Sequence, residues 1–109
     1  MDIRQLAEED LPALLDLCQR ALPHDGFTLP LLRRRLFGDP EFAPQFQLAA
    51  FEGERLAGAM LGVRRAHDEG YGGALSLFAV DPPFRRQGLA TRLLRELEDR
   101  LRAEGAGGL

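Results

Sequence analysis

Cysteine, long apolar runs and excess positive charge are scarce or absent in this sequence, and each shortage disfavours a class of protein. Cys18 is the only cysteine among 109 residues, so no intrachain disulfide can form and a reducing compartment is favoured. No apolar run approaches the length of a membrane span, and the acidic start "MDIRQLAEEDL" lacks the apolar core of an export signal. The net charge of -3 disfavours nucleic acid or a membrane surface as partner. We therefore expect a soluble, cytoplasmic protein with neither of those partners.

Metal-ligating side chains are also few. The two histidines, His24 and His67, are far in sequence from each other and from Cys18, so no metal site is expected. The composition, with 45% hydrophobic and 28% charged residues, favours a folded chain, and the length suits one small domain over residues 1–109. We find no internal repeat, linker or low-complexity segment.

Three segments have the apolar spacing of amphipathic helices. In the first, "EEDLPALLDLCQRAL", Asp10 is expected to cap the start, and the apolar face holds Leu11, Leu14, Leu15, Cys18 and Leu22. The second, "TLPLLRRRLFGDP", is expected to begin after the cap Thr28 and to be ended by Gly38 and Pro40. Its three consecutive arginines, Arg33 to Arg35, are interpreted as a solvated face, with contact to an acidic substrate as the less favoured alternative.

The third helix, "GLATRLLRELEDRLRAEG", has the strongest pattern and is expected to stop at Gly105. Two i,i+4 ion pairs are expected on its wet side, Glu96–Arg100 and Glu98–Arg102. Its apolar stripe consists of Leu89, Leu93, Leu97 and Leu101, with Leu94 beside it.

The remaining segments favour β-strands. "DIRQL" is a weak first strand, and "FQLAAF" and "LAGAMLGVRR" flank a turn centred on Gly53, which predicts an antiparallel hairpin. The glycines of "AHDEGYGG" predict a flexible loop, and "ALSLFAV" is apolar enough for a central strand covered on both faces. The order β-α-α-β-β-β-α predicts an α/β (α+β) fold, with a mixed, mostly antiparallel sheet and flanking helices.

Chemistry is concentrated where the last strand meets the last helix, in "AVDPPFRRQGLATRLL". The first turn of a helix has unpaired N–H groups at the positive end of the helix dipole, which attract anions. Gly88 and Ala90 keep that end open, and Arg85 and Arg86 add forked donors suited to phosphate. Without the glycine spacing, both arginines would be read as solvated loop charges. The segment has neither the Walker ending nor the three-glycine dinucleotide pattern, and a phosphate-bearing ligand is the simplest interpretation.

The pattern Arg85-x-x-Gly88-x-Ala90 after "LFAVDP" resembles motif A of the GNAT superfamily of N-acetyltransferases, especially the ribosomal-protein alanine acetyltransferase branch. The resemblance implies an acyl-CoA N-acyltransferase fold and direct transfer of acetyl from acetyl-CoA to an amine, without a metal. It implies that the backbone of Phe78, Ala79 and Val80 pairs with the pantetheine arm and that Arg85 or Arg86 faces the phosphates. The pyrophosphate would be held by the backbone N–H groups of Arg86, Gln87, Gly88, Leu89, Ala90 and Thr91.

The resemblance also implies segments that this sequence does not contain. Domains of this family usually continue with another strand, a helix and a hairpin that supply a tyrosine acid and often a carboxylate base, whereas this sequence stops at Leu109. Tyr71 does not match that tyrosine, and Ser76 stands where some members carry a glutamate. A base role for His67, Asp68 or Glu69 is less favoured than a solvated loop. No catalytic residue and no acceptor amine is identified.

Three explanations of the short sequence stay open. The sequence is the N-terminal portion of a longer domain, or a second copy completes the sheet in a homodimer, or the domain is degenerate. The first two are favoured. The function expected is N-acetyl transfer to an amine of a small molecule or protein. The alternatives are a catalytically silent CoA-binding or interaction module and, less favoured, a phosphate- or nucleotide-binding regulator.

Overall fold

The computed structural model describes residues 1–38, 43–67 and 70–104, and for 64–67 and 70–74 it describes the backbone alone. The order of elements is the predicted one. Single turns of 3-10 helix at Glu8–Asp10, Pro44–Phe46 and Pro82–Phe84 connect them. The strands and helices are β1 (Asp2–Gln5), α1 (Leu11–Ala21), α2 (Leu29–Phe37), β2 (Gln47–Glu52), β3 (Arg55–His67), β4 (Gly70–Val80) and α3 (Leu89–Ala103).

The four strands form one sheet in the order β1-β2-β3-β4, and each neighbouring pair is antiparallel. The predicted hairpin of β2 and β3 is confirmed. It turns at Gly53, whose φ of 60° is the left-handed conformation that glycine adopts without strain. The predicted α/β class, with helices on a mostly antiparallel sheet, is confirmed.

The flexible loop predicted over "AHDEGYGG" is wrong in extent. β3 continues to His67 and β4 begins at Gly70, so the two strands pair almost to their junction. Asp68 and Glu69 lie outside the described residues. Hydrogen bonding to β3 gives this glycine-rich stretch a partner, and such tertiary pairing overrides its weak local preference.

The prediction that "ALSLFAV" is a central strand covered on both faces is also wrong for the described sheet, where β4 lies at an edge. Leu77 and Ala79 are buried, but Leu75 and Phe78 are 46% and 39% exposed. The register moves from Leu61↔Leu77 to Gly62↔Leu75, so Ser76 is an additional residue, as in a β-bulge. The bulge breaks the two-residue alternation, and Leu75 is therefore exposed although Leu77 is buried.

Helices α1 and α2 cover one face of the sheet. Leu11, Leu14 and Cys18 are buried as predicted, but the fourth buried residue of α1 is Leu17, and Leu15 and Leu22 are only half-buried. The larger cluster on this face also contains Leu32 and Leu36 of α2, and Ala49, Ala59, Leu61 and Leu77 of the sheet.

The predicted helix caps differ in outcome. Thr28 caps α2 as predicted, because its Oγ1 accepts a hydrogen bond from the Leu31 N–H at 3.3 Å. Asp10 does not cap α1, so that prediction is wrong. Its Oδ2 accepts instead from the Ala7 N–H at 2.8 Å and from Arg4 Nη1 at 2.9 Å, partners that satisfy the carboxylate before the helix begins.

Helix α3 covers the other face, and the predicted leucine stripe is buried against Phe46, Leu48, Ala50 and Met60. The helix lies close to β3 because Gly62 has no side chain: a Cβ there would be 2.9 Å from Leu97 Cδ1. Both predicted ion pairs form, Glu96–Arg100 at 3.0 Å and Glu98–Arg102 at 3.7 Å. The expected stop at Gly105 lies outside the described residues. Among the described helices, none is long and apolar enough to cross a membrane.

The stripe of α3 can be tested with one matched pair of variants. Leu97→Ala should lower the free energy of unfolding by about 2–5 kcal/mol, because Leu97 is fully buried and its removal leaves a cavity. Leu94→Ala removes the same atoms from a half-buried position and should cost about 1 kcal/mol. Urea unfolding measures both, and equal losses would contradict the described orientation of α3.

Candidate functional site

A cavity of about 540 Å³ opens between the end of β4 and the start of α3. Nine of the ten residues predicted for the cofactor site line it: Phe78, Ala79, Val80, Arg85, Arg86, Gly88, Leu89, Ala90 and Thr91. The end of α1 forms the opposite wall with Ala21 and Leu22, and Phe84 completes the lining. The sequence pattern did not indicate Ala21 and Leu22, because the approach of α1 to β4 is a long-range contact, and it gave no ligand role to Phe84, although Phe84 lies in the same local segment.

Gln87 is the predicted residue that does not line the cavity. Its Nε2 donates to the Pro83 carbonyl at 2.9 Å, so the side chain forms a hydrogen bond within the turn. The contribution expected of Gln87 in the prediction was its backbone N–H, which this side-chain contact leaves free.

Six consecutive backbone N–H groups, from Arg86 to Thr91, have no hydrogen-bond acceptor among the described residues. The first intrahelical bond of α3 runs from the Arg92 N–H to the Gly88 carbonyl at 3.1 Å. Gly88 has a φ of 79° and Arg86 a φ of 64°, both left-handed. Left-handed residues within a turn direct successive N–H groups into one concavity, which is a binding geometry for anions.

The two arginines of the turn differ in what they contact. Arg85 Nε donates to the Val80 carbonyl at 3.1 Å and its Nη2 to the Ala21 carbonyl at 3.5 Å, so this side chain connects the ends of β4 and α1. The Arg86 side chain is exposed and makes no hydrogen bond or ion pair with the described residues. Of the two, Arg86 is the guanidinium available to a ligand.

Asp81 follows β4 directly and fixes the start of the turn. Its side chain is 1% exposed and forms ion pairs with Arg55 Nη2 at 2.7 Å and Arg20 Nη2 at 3.2 Å. Its N–H donates to the Ala57 carbonyl at 2.8 Å. One residue thereby joins the last turn of α1, the start of β3 and the end of β4. The sequence offers no local signal for this cluster, because Arg20 and Arg55 are 61 and 26 positions away.

Two opposing effects act on the carboxyl group of Asp81. Burial is the largest single effect and raises its pKa, but the hydrogen bonds and the positive charges of Arg20 and Arg55 together lower it more, and the net result is a pKa below the ordinary value of 3.8. The group is therefore ionised at neutral pH. Arg55 also lies over the ring of Phe84, with its guanidinium carbon 5.7 Å from the ring centroid. The Asp81 cluster thus reaches a residue that lines the cavity.

The described lining of the cavity contains no carboxylate, imidazole, thiol, amine or phenol that could act as acid or base, and the Thr91 hydroxyl is the one potential nucleophile among these residues. Cys18 lies on the buried face of α1, and burial raises the pKa of its thiol to about 11, so the thiol is protonated at neutral pH. No cluster of metal-ligating side chains occurs among residues 1–38, 43–63 and 75–104, whose side chains the structure describes.

Comparison with known proteins decides the family. The sequence matches the acetyltransferase (GNAT) family over residues 3–109. The chain belongs to the GNAT family. The resemblance noted in the sequence is confirmed, including its extent over nearly the whole chain. A search of curated proteins found no match.

Solved structures show that this GNAT chain has the fold of known acetyltransferases. The ribosomal-protein-S18-alanine N-acetyltransferase from Escherichia coli superposes with a TM-score of 0.75 at 24% identity, covering 96% of this chain and 61% of that one. Ard1 from Thermoplasma volcanium gives a TM-score of 0.78 at 20% identity, covering 96% of this chain and 66% of that one. The GNAT chain therefore spans 61% and 66% of the lengths of these two structures.

The Asp81 cluster predicts a specific dependence of stability on pH. Asp81→Asn should lower the free energy of unfolding at neutral pH by about 2 kcal/mol, because two guanidinium groups lose their charged partner. In the parent chain this contribution is complete above the ordinary carboxyl pKa of 3.8 and is lost as the pH falls through the lower pKa of folded Asp81. The difference between parent and variant should therefore shrink in acid, which urea unfolding at a series of pH values would show.

Asp99→Asn is the control for this experiment. Asp99 is 74% exposed and has one ion pair, with Arg102 at 3.7 Å, so its replacement should change stability little at any pH. A difference between parent and Asp81→Asn that stays constant into strong acid would contradict the role given to the carboxylate.

Proposed function

We propose that this chain binds acetyl-CoA in the cavity between β4 and α3 and transfers its acetyl group to an amine. The observation that carries the proposal is the row of six N–H groups from Arg86 to Thr91 without acceptors in the described chain. A diphosphate offers oxygen acceptors on every side and suits a concave row of donors at the positive end of a helix. Arg86 adds an uncommitted positive charge at the same place.

The edge of β4 that faces away from β3 supports binding of the pantetheine arm of the same ligand. The N–H of Asp81 donates to Ala57 next to the Val80↔Gly58 pair. In an antiparallel ladder this makes Val80 and Phe78 the residues whose N–H and C=O groups point away from β3. An extended chain of amides can pair with such an edge as an additional strand. The pantetheine arm of CoA has this character, so we assign its contacts to Phe78 and Val80, with Ala79 turned toward β3.

Arg85 modifies that assignment at the end of the strand. The outward carbonyl of Val80 already accepts from Arg85 Nε at 3.1 Å. The pantetheine arm would therefore use the N–H of Val80 and the N–H and carbonyl of Phe78. Arg85 would act by holding the ends of β4 and α1 in position, while Arg86 contacts phosphate.

The reaction needs little beyond alignment once an amine is neutral. The thioester supplies an activated acetyl group, and a bond from the amine nitrogen to its carbonyl carbon forms as the bond to sulfur breaks. The CoA thiolate leaves with the electron pair of that bond, and the proton lost by the amine nitrogen passes to the thiolate directly or through water. The residues described here bind and orient the donor. AAC(6')-Iy, which has a TM-score of 0.77 to this chain at 19% identity, was solved with a bisubstrate analogue of CoA and acetylneamine. That likeness supports CoA as the ligand class.

A second candidate function is CoA binding without catalysis. It is favoured by one observation, namely that no described residue of the cavity has a side chain suited to proton transfer at neutral pH. Both candidates require the same ligand. Completion of the sheet by a second copy of the chain, a single domain over 1–109 and a cytoplasmic location stay predictions.

The proposed ligand site can be tested at Gly88. Gly88→Glu should abolish the binding of acetyl-CoA measured by calorimetry, because it places negative charge beside the row of N–H groups. Gly53→Glu is the matched control: Gly53 also has a left-handed φ, of 60°, and open space around its Cβ position, but it lies in the β2–β3 turn. The backbone strain is similar in both variants, so a loss of affinity confined to Gly88→Glu identifies the site. Retained affinity of Gly88→Glu for acetyl-CoA would refute the proposed site. ADP is titrated as the control ligand, because it lacks the pantetheine arm.

Arg86 gives an independent test through the dependence of binding on salt. Arg86→Asn removes the charge while keeping a residue that tolerates left-handed φ. Affinity for acetyl-CoA at low ionic strength should fall by about threefold to tenfold, and its decrease with added salt should become shallower.

Arg102→Gln removes an equal charge from the far end of α3, about 20 Å away and beyond the screening length in physiological salt. Its affinity and salt dependence should match those of the parent chain. Equal effects of the two substitutions would mean that both changes in affinity come only from the altered net charge of the chain and that Arg86 does not contact the phosphates.

A further inference from the structure

A second depression, of about 430 Å³, lies beside β4 at Ser76, four residues before Val80. Helix α2 forms its other side with Leu31, Arg34, Arg35 and Gly38. It is separate from the cavity at the start of α3, which shares none of these residues.

The charged side chains in the described lining of this depression are of one sign. Arg35 Nη1 donates to the Ser76 carbonyl at 3.4 Å, and its guanidinium carbon lies 5.5 Å from the centroid of the Phe27 ring. Arg34 makes no ion pair or hydrogen bond through its side chain with any described residue. The neighbouring Arg33 is paired with Glu8, outside the depression. No acidic residue contributes to the described lining, so two guanidinium groups face it and one is uncommitted.

The depression lies in the direction in which the acetyl end of the proposed ligand would point. If the phosphates lie at the N–H groups of Arg86 to Thr91, the arm enters the edge of β4 at Val80 and runs toward Phe78. Its acetyl end is then directed toward Ser76, which is about 13 Å from Val80 along a strand. An amine that meets the acetyl group must arrive on this part of β4, with the rest of its molecule beside α2.

We infer, on the basis of the proposed function, that the acceptor carries an oxyanion close to its reacting amine and that Arg34 and Arg35 bind this oxyanion. A carboxylate or phosphate matches the forked donors of a guanidinium, and a polycationic acceptor would be repelled. Arg35 is already oriented by Ser76 and Phe27, and Arg34 supplies the free charge. The chain as a whole has a net negative charge, whereas this depression is locally positive. The local charge therefore favours amines that also carry an oxyanion.

The test compares amines that differ only in charge. The small pair is γ-aminobutyrate and its amide, and the peptide pair is Ala-Glu-Glu and Ala-Gln-Gln, both amidated at the C-terminus. Each is titrated into the isotopically labelled 109-residue chain while NMR follows the backbone amides of Leu31, Gly38 and Ser76. The carboxylate member of a pair should shift these amides at about fivefold lower concentration than the neutral member. Whichever pair shows the larger preference identifies the source of the oxyanion.

Arg34→Gln should abolish the preference for the carboxylate member. Because Arg34 has no partner in the described chain, this substitution should leave stability unchanged. Arg33→Gln is the control with the same change of charge one residue away, and it should retain the preference. Equal titrations for both members of both pairs, or equal loss in the Arg33 and Arg34 variants, would overturn the inference.

Acetyl-CoA titrated into the same samples separates this inference from the proposed function. Shifts at Gly88 and Ala90 with no preference between the paired amines would refute the oxyanion site and keep the proposed function. A preference for the carboxylates without any binding of acetyl-CoA would refute the proposed function and, with it, the role of the depression as an acceptor site. Spermidine that binds beside α2 as tightly as the carboxylates would also overturn the inference.

Discussion

The buried carboxylate of Asp81 is held between the guanidinium groups of Arg20 and Arg55, and the position of the candidate site depends on this arrangement. A charge that is 1% exposed is tolerated only when opposite charges and hydrogen bonds satisfy it. The three residues belong to three elements, so the cluster fixes the end of β4 relative to α1 and β3. The turn that starts at Asp81 therefore leaves from a defined point and delivers α3 with its first N–H groups facing the cavity.

The two faces of the sheet are covered by different helices. Helix α3 packs on one face through its leucine stripe and is brought close by Gly62, while α1 and α2 cover the other. The cavity lies where these layers meet at the end of β4, and the depression beside Ser76 lies along the same free edge. Both surfaces assigned to ligands thus depend on β4 being an edge strand, which leaves outward backbone groups at Phe78 and Val80.

Local patterns in the sequence predicted much of this structure. The order of elements, the hairpin at Gly53 and the stripe of α3 depend on residues close together in sequence. The same is true of the nine predicted residues around the cavity, because a strand end followed by a glycine-started helix is a continuous segment. The partners of Asp81, the contact of Arg85 with the Ala21 carbonyl and the edge position of β4 could not be predicted, because each depends on elements that are distant in sequence. Asp10 illustrates the limit, since a suitable cap residue found better partners in Arg4 and Ala7.

The row of free donors from Arg86 to Thr91 has a further consequence for whatever covers the mouth of the cavity. Unpaired N–H groups are inexpensive in contact with water and costly once water is removed. An apolar cover over this turn would therefore lower the stability of the chain. Only a cover rich in oxygen atoms, such as carboxylates, backbone carbonyls or the diphosphate itself, can displace the hydration layer without penalty. The turn therefore disfavours contact with apolar surfaces, and its N–H groups stay hydrated until a hydrogen-bond acceptor binds.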